Sequence, residues 1–223
     1  MPDGILILDK PAGISSAFAV KRIKRMLPRG TKVGHAGTLD PFATGVLLIL
    51  IGKATKRCEE LMGQPKRYLA TIKLGATTQT LDPTAPEIPG PCPPAPANEQ
   101  IAAVLSRFVG TIQQVPPAYS ALKIGGRPAY KLARAGKPAE LKARAVVIYS
   151  IELLRYGYPA LELDIRCGRG TYIRSLARDI AAELGTVGYL QQLRRTAVGE
   201  HTIDRAVSLA SLDAQALAQR LGN

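Results

Sequence analysis

Twelve residues concentrate the reactive chemistry of this chain: Gly34-His35-Ala36-Gly37-Thr38-Leu39-Asp40-Pro41-Phe42-Ala43-Thr44-Gly45. They hold one carboxylate, one imidazole and three glycines, and they run straight into the apolar stretch 46–51. Glycines allow backbone angles that other residues resist, so a ligand can approach the main chain closely. Pro41 pushes Asp40 out of the helical region into an extended one. A carboxylate on such a loop, backed by a buried strand, suits a nucleophile or a general base. Taken alone, an Asp-Pro pair in a loop more often only shapes a turn; the rest of the chain decides between the two.

Charge is the next guide. The 223 residues carry 30 Lys and Arg against 17 Asp and Glu, a formal net charge of +13 that points to a polyanionic partner. Hydrophobic residues make up 46% and charged residues 21%, as in an ordinary globular protein. The cations cluster. Residues 10–34 hold seven (Lys10, Lys21, Arg22, Lys24, Arg25, Arg29, Lys32) and no acid. Residues 120–150 hold seven more with Glu140 as the one acid, and residues 166–178 hold four arginines and no acid. Tyr68, Tyr119, Tyr130 and Tyr172 lie beside these runs. Aromatic planes among cations suit unstacked bases of single-stranded or loop RNA. No apolar stretch approaches a membrane span or a signal peptide, so nucleic acid is a better candidate than a membrane surface.

Cys58, Cys92 and Cys167 are scattered and form no Cys-x-x-Cys pair. With only His35 and His201 besides, the sequence holds no metal-ligand cluster, and the odd cysteine count fits a reducing cytoplasm. Two glycine motifs fail on inspection. The stretch ending Gly52-Lys53 has Leu47 where a phosphate loop needs glycine and Ala54 where it needs Ser or Thr; Gly168-Arg169-Gly170 has Ile173 where a dinucleotide fingerprint needs glycine. No cofactor is expected.

The elements that must position these residues are mixed. Residues 4–8 read as a strand, and Ser15 or Ser16 caps a helix to about Leu27 with Val20, Ile23 and Leu27 on one face. Residues 46–51 read as a buried strand, 54–62 as a helix, and the alternation of Tyr68, Ala70, Ile72 and Leu74 with polar neighbours as another strand. Seven prolines between Pro83 and Pro96 predict a stiff connection without regular structure. Asn98 is read as the cap of a helix over Ile101, Leu105 and Phe108. Two long strands follow at 145–154 and 161–167, then a helix over 171–184 with Ile173, Leu176, Ile180 and Leu184 inward and Arg174 and Arg178 four apart on another face, and a last helix capped by Ser208. Strands and helices do not alternate strictly. The pattern predicts an α+β fold, a largely antiparallel mixed sheet flanked by helices, with a Pro-rich connection at about 83–97 and a basic insert at about 117–144 in one domain, 1–223.

Seven segments, in order along nearly the whole chain, resemble the TruB family of bacterial tRNA pseudouridine synthases. They are Gly4-Ile-Leu-Ile-Leu-Asp-Lys-Pro-Ala-Gly-Ile-Ser-Ser16, the glycine loop, Gly52-Lys-Ala-Thr-Lys56, Lys66-Arg-Tyr-Leu-Ala-Thr71, Pro116-Pro-Ala-Tyr-Ser-Ala-Leu-Lys123, Cys167-Gly-Arg-Gly-Thr-Tyr-Ile-Arg174 and Leu193-Arg-Arg-Thr-Ala-Val-Gly199. The resemblance implies a pseudouridine synthase fold and isomerisation of uridine 55 in the T-loop of tRNA by a cytoplasmic, cofactor-free monomer that needs no protein partner. It makes Asp40 the nucleophile, Tyr68 the ring that stacks on the target base and accepts a proton, and Arg174 the partner of the nucleophile. His35 would hold the T-loop with its base extruded. Tyr172 and Leu193 would line the uracil pocket, and Lys10 and Lys123 would lie near the RNA.

Departures from the family pattern are local. Gln79 stands where the family commonly has Asp, proline replaces the acidic stretch after Asp82, 186–189 differs from the usual Cys-Gly-Ala-His, and His201 replaces an aromatic. Many relatives add a C-terminal RNA-binding PUA domain. The sequence ends at Asn223 without one, so RNA affinity is expected from the catalytic domain, above all from its basic insert. Two rival readings are a noncatalytic RNA-binding protein or tRNA-folding chaperone on the same fold, against which intact Asp40, Tyr68 and Arg174 argue, and a guide-RNA-dependent relative.

Overall fold

Strand β1 (Gly4–Lys10) is followed by α1 (Ser16–Arg25), whose first turn is capped by Ser15: its side chain accepts a hydrogen bond from the Phe18 N–H. Then come β2 (Val33–Ala36), β3 (Thr44–Ile51), a 3₁₀ turn over Gly52–Arg57, α2 (Cys58–Gly63) and β4 (Lys66–Leu74). Further on lie β5 (Ala76–Thr78), β6 (Glu87–Pro89), α3 (Asn98–Arg107), β7 (Gly110–Gln114), β8 (Lys123–Ile124), β9 (Arg127–Pro128), α4 (Ala129–Arg134), β10 (Arg144–Gly157), β11 (Ala160–Cys167) and α5 (Ile173–Glu183). The chain closes with β12 (Gly188–Val198), β13 (His201–Thr202), β14 (Val207–Ser208) and α6 (Ala214–Leu221). This computed structural model describes residues 2–91, 94–136 and 140–221, so Cys92 and Lys137 lie outside the described residues.

Two compact units are formed, Met1–Leu69 with Leu193–Asn223, and Ala70–Gln192. The chain crosses between them inside β4 and inside β12. In the first unit β1 pairs antiparallel with β3 and parallel with β14; β3 also pairs antiparallel with β2 and parallel with the Arg194–Arg195 stretch of β12. The unbroken apolar run of β3 has a simple cause: both its faces are buried. Leu47, Ile49 and Ile51 meet Ala19 and Ile23 of α1 and Leu217 of α6, while Val46, Leu48 and Leu50 meet Leu61 of α2 and Val198.

In the second unit β10 pairs antiparallel with β7 and β11. Helix α5 buries Ile173, Leu176, Ala177, Ile180 and Ala181. It lies close over β12: a Cβ on Gly188 would stand 2.6 Å from the Ala181 Cβ. The basic segment is a small hairpin, β8 with β9, turned by Gly125 and Gly126 at positive φ and followed by α4.

The α+β expectation, a largely antiparallel mixed sheet flanked by helices, agrees with this arrangement. Three local readings change. The Pro-rich segment contains a short strand, β6, which pairs with β5 and ends at Pro89, where a missing N–H costs little on an edge. Asn98 is the first residue of α3, and no side chain caps that helix. Helix α6 is capped by Asp213, which accepts from the Ala216 N–H; Ser208 instead sits in β14 opposite Asp9.

Candidate active site

Asp40 is half-buried in the first unit, on the loop between β2 and β3. Its neighbours are held one after another. The Ser16 hydroxyl bridges both main-chain groups of Leu39, accepting from its N–H and donating to its carbonyl at 2.9 Å each. The Pro41 carbonyl accepts from the Gly13 N–H at 2.8 Å and from the Lys10 ammonium at 3.3 Å. Arg195 donates to the carbonyls of Gly37 at 3.0 Å, Thr38 at 3.4 Å and Val46 at 2.7 Å. Gly45 is required where β3 leaves the loop, because its φ is +103° and a Cβ there would stand 2.2 Å from the Arg195 carbonyl oxygen.

Two cations therefore lie beneath this loop. Lys10 is 0% and Arg195 1% exposed, and the Lys10 ammonium also donates to the carbonyls of Pro11 and Ile14. Burial pulls the Lys10 pKa down to about 8, against the attraction of Asp40 and with the repulsion of Arg195. The resemblance places Lys10 near RNA; the structure uses its charge inside the loop. His35, in β2, is depressed below the usual histidine range by burial and then by Arg195, so its imidazole is neutral at pH 7. Its Nδ1 is buried without a hydrogen-bond partner. Tyr68 in β4 and Leu193 in β12 are each 8% exposed in the same unit.

Arg174, Tyr172 and Lys123 belong to the second unit. Arg174 lies on α5 and is buried, 4% exposed. Its guanidinium donates to the carbonyls of Thr80 and Tyr119 at 2.9 Å each and pairs with Asp82 at 3.4 Å. Asp82 is itself caged: it accepts from the Thr80 hydroxyl at 2.6 Å, the Thr84 N–H at 3.0 Å and the Thr84 hydroxyl. The turn that delivers it places Leu81 at φ +58°, a strained angle for a side chain of that size. Tyr172 is half-buried; its main chain is fastened by the Gln114 amide, and the Arg144 guanidinium lies 5.0 Å from its ring centre. Lys123 is exposed on β8.

Sequence reasoning missed Asp82 and Arg195. Nothing in the sequence marked Asp82, because the residues that hold its carboxylate, Thr80 and Thr84, look like ordinary loop threonines. For Arg195 the signal was its position two residues after Leu193, on the same face of a strand. Among the described residues no three His, Cys, Asp or Glu side chains gather as metal ligands would, and no helix is long and apolar enough to cross a membrane.

The class is set by comparison with solved structures. A chain from a Cbf5-Nop10-Gar1 complex superposes with a TM-score of 0.72 at 30% identity over 94% of this chain, which spans about half, 53%, of that one. Residues 24–173 match the TruB family pseudouridylate synthase N-terminal domain, and residues 174–221 the tRNA pseudouridylate synthase B C-terminal domain. The chain belongs to the TruB family of pseudouridylate synthases. It is 48% identical to tRNA pseudouridine synthase B of Bordetella avium over 95% of this chain and 87% of that protein. It is 45% identical to tRNA pseudouridine synthase B of Azoarcus sp. over 99% of this chain and 73% of that protein.

Proposed function

We propose that this protein isomerises uridine 55 in the T-loop of tRNA to pseudouridine, with Asp40 as nucleophile, acting as a cytoplasmic monomer. The support that carries the activity is the match to relatives named tRNA pseudouridine synthase B over 95% or more of the chain. The reaction breaks the N1–C1′ bond and forms C5–C1′; C5 loses a proton and N1 gains one. It consumes no water and has no net redox change. Addition of the carboxylate to C6 and attack at C1′ both draw on the same ionised group.

The target base is inaccessible while stacked, so it must leave the stack at a cost of a few kcal/mol, about what an aromatic contact returns. Tyr68 supplies that ring and a phenol oxygen for the departing proton. Leu193 and Tyr172 supply apolar walls. His35 is neutral, and it keeps the role that the resemblance implies, holding the T-loop with its base extruded. Asp40 needs to be ionised and fixed. The pinned carbonyls of Gly37, Thr38, Leu39 and Pro41 fix its backbone, and the cations Lys10 and Arg195 beneath the loop favour its charged form. For Arg174 the reading keeps the role that the resemblance implies, charge partner of the nucleophile. Its support is a planar guanidinium held rigid by two carbonyls and Asp82.

The test is pseudouridine mapping in unmodified tRNA after incubation with purified protein. One modified uridine in the T-loop is the expected result; tRNA bound but unmodified would favour the chaperone reading. Turnover is expected to survive strong chelation on a T-stem-loop fragment, and loss in EDTA restored by a single metal would contradict that.

A further inference from the structure

We infer that the outer face of α1 is a second RNA-binding surface, which takes phosphates of the substrate tRNA beyond the flipped nucleotide; the inference rests on the proposed tRNA reading. The helix buries Ser16, Ala19 and Ile23. Phe18, Lys21, Arg22 and Arg25 stand at i, i+3, i+4 and i+7, and all four are exposed, Phe18 by 50%. Lys24 on the same helix, and Arg29 and Lys32 after it, are exposed as well.

None of these six cations makes a side-chain ion pair or hydrogen bond among the described residues. Elsewhere this chain does pair its surface cations: Arg57 with Glu60, Lys73 with Glu87, Arg107 with Glu183, Arg194 with Asp9. Lys21 with Arg25, four apart, and Arg22 with Arg25, three apart, repel within the helix. Complementing the helix dipole accounts for cations in the last turn. It does not account for Lys21, Arg29 and Lys32, or for a half-exposed phenylalanine among charges. A polyanion with bases to stack accounts for all of them.

The helix is also joined to the Asp40 loop. Ser16, its first residue, makes the two hydrogen bonds to Leu39, and Gly13 just before it holds Pro41. From that junction Lys21 to Arg25 lie between about 8 and 14 Å along the helix. A face that runs away from the Asp40 loop in this way suits the backbone of the flanking RNA.

The experiment compares the wild type with the quadruple variant Lys21→Gln, Arg22→Gln, Lys24→Gln, Arg25→Gln, and with Phe18→Ala. All five side chains are exposed, and thermal unfolding checks that the fold persists. Binding of full-length tRNA and of a T-stem-loop is measured across a salt series. Affinity of the quadruple variant should fall at least about tenfold at low salt, and the slope of log K against log salt should flatten by about 0.9 for each phosphate no longer neutralised. Turnover at saturating RNA should stay within about twofold of wild type, because these groups position the backbone only. Loss with both RNAs places the phosphates in the T-stem; loss with whole tRNA alone places them outside it. Phe18→Ala should weaken binding without changing the slope. A control removes the same charge from exposed Arg107, Arg155, Arg205 and Arg220. Curves that coincide with wild type, or an equal loss in the control, would overturn the proposal. The binding readout needs no turnover, so failure to form pseudouridine would count against the proposed function alone.

Discussion

Two buried arginines solve the same problem differently. Arg174, in the second unit, has a carboxylate beside it: Asp82, itself satisfied by Thr80 and Thr84. Arg195, in the first unit, donates among the described residues to the carbonyl oxygens of Gly37, Thr38 and Val46. Its charge is solvated by dipoles but not cancelled, and it is felt by its neighbours, where it lowers the pKa of both Lys10 and His35. The difference suits different duties. A guanidinium held by a carboxylate is a rigid fork. One held by loop carbonyls ties the loop and leaves a positive field under Asp40.

Breaking the Arg174 pair should have the largest effect. Arg174→Met leaves Asp82 buried without its cation, which costs about 3–5 kcal/mol of stability by urea unfolding, along with turnover. Adding Asp82→Asn should return much of the stability and none of the activity. A double variant no more stable than the single would show that the two side chains are not coupled.

Arg195→Met should cost less, about 1–3 kcal/mol, because three carbonyls lose a donor while no carboxylate is stranded and the cost of burying a cation disappears. Its signature lies elsewhere. With the like charge gone, the His35 pKa should rise, visible as an upward shift in its imidazole proton titration by NMR. An unmoved His35 would show that the field of Arg195 does not reach it.

The smallest effect is a pH dependence through Lys10. Its native pKa is about 8 against 10.5 for an ordinary lysine. Between those values the unfolded chain binds a proton that the native chain does not, so the stability contribution of this group grows as pH rises through the window. Below about 8 both states are protonated, and the penalty of burying the charge is felt in full. Activity should run the other way: above about pH 8 the loop loses a cation and one N–H donor, and kcat/KM falls. Lys10→Met should be flat across this window. A wild-type limb that persists in that variant would assign it to another group.

Candidate site residues were easier to read from the sequence than the contacts that hold them. Asp40, Tyr68 and Arg174 stand in motifs with distinctive spacing, and alternation made β4 readable residue by residue. Strand β12 went unpredicted because its centre, Gln191-Gln192-Leu193-Arg194-Arg195, looks polar; Arg195 is nonetheless buried on main-chain carbonyls, and its place two residues after Leu193 was the cue to that. Asp82 was hidden: its partners, Thr80 and Thr84, look like ordinary loop threonines. Ser208 and Asn98 were misread as caps because good capping residues also serve in short strands and in first turns.

The most direct measurement is pseudouridine mapping at the T-loop uridine with the wild type and Asp40→Asn side by side, alongside tRNA binding. The account predicts pseudouridine with the wild type and none with Asp40→Asn, at RNA affinities within a few-fold of each other, since the substitution keeps the shape of the side chain and the pinned loop and removes the nucleophilic charge. A folded Asp40→Asn protein that forms pseudouridine at a rate near wild type would contradict it.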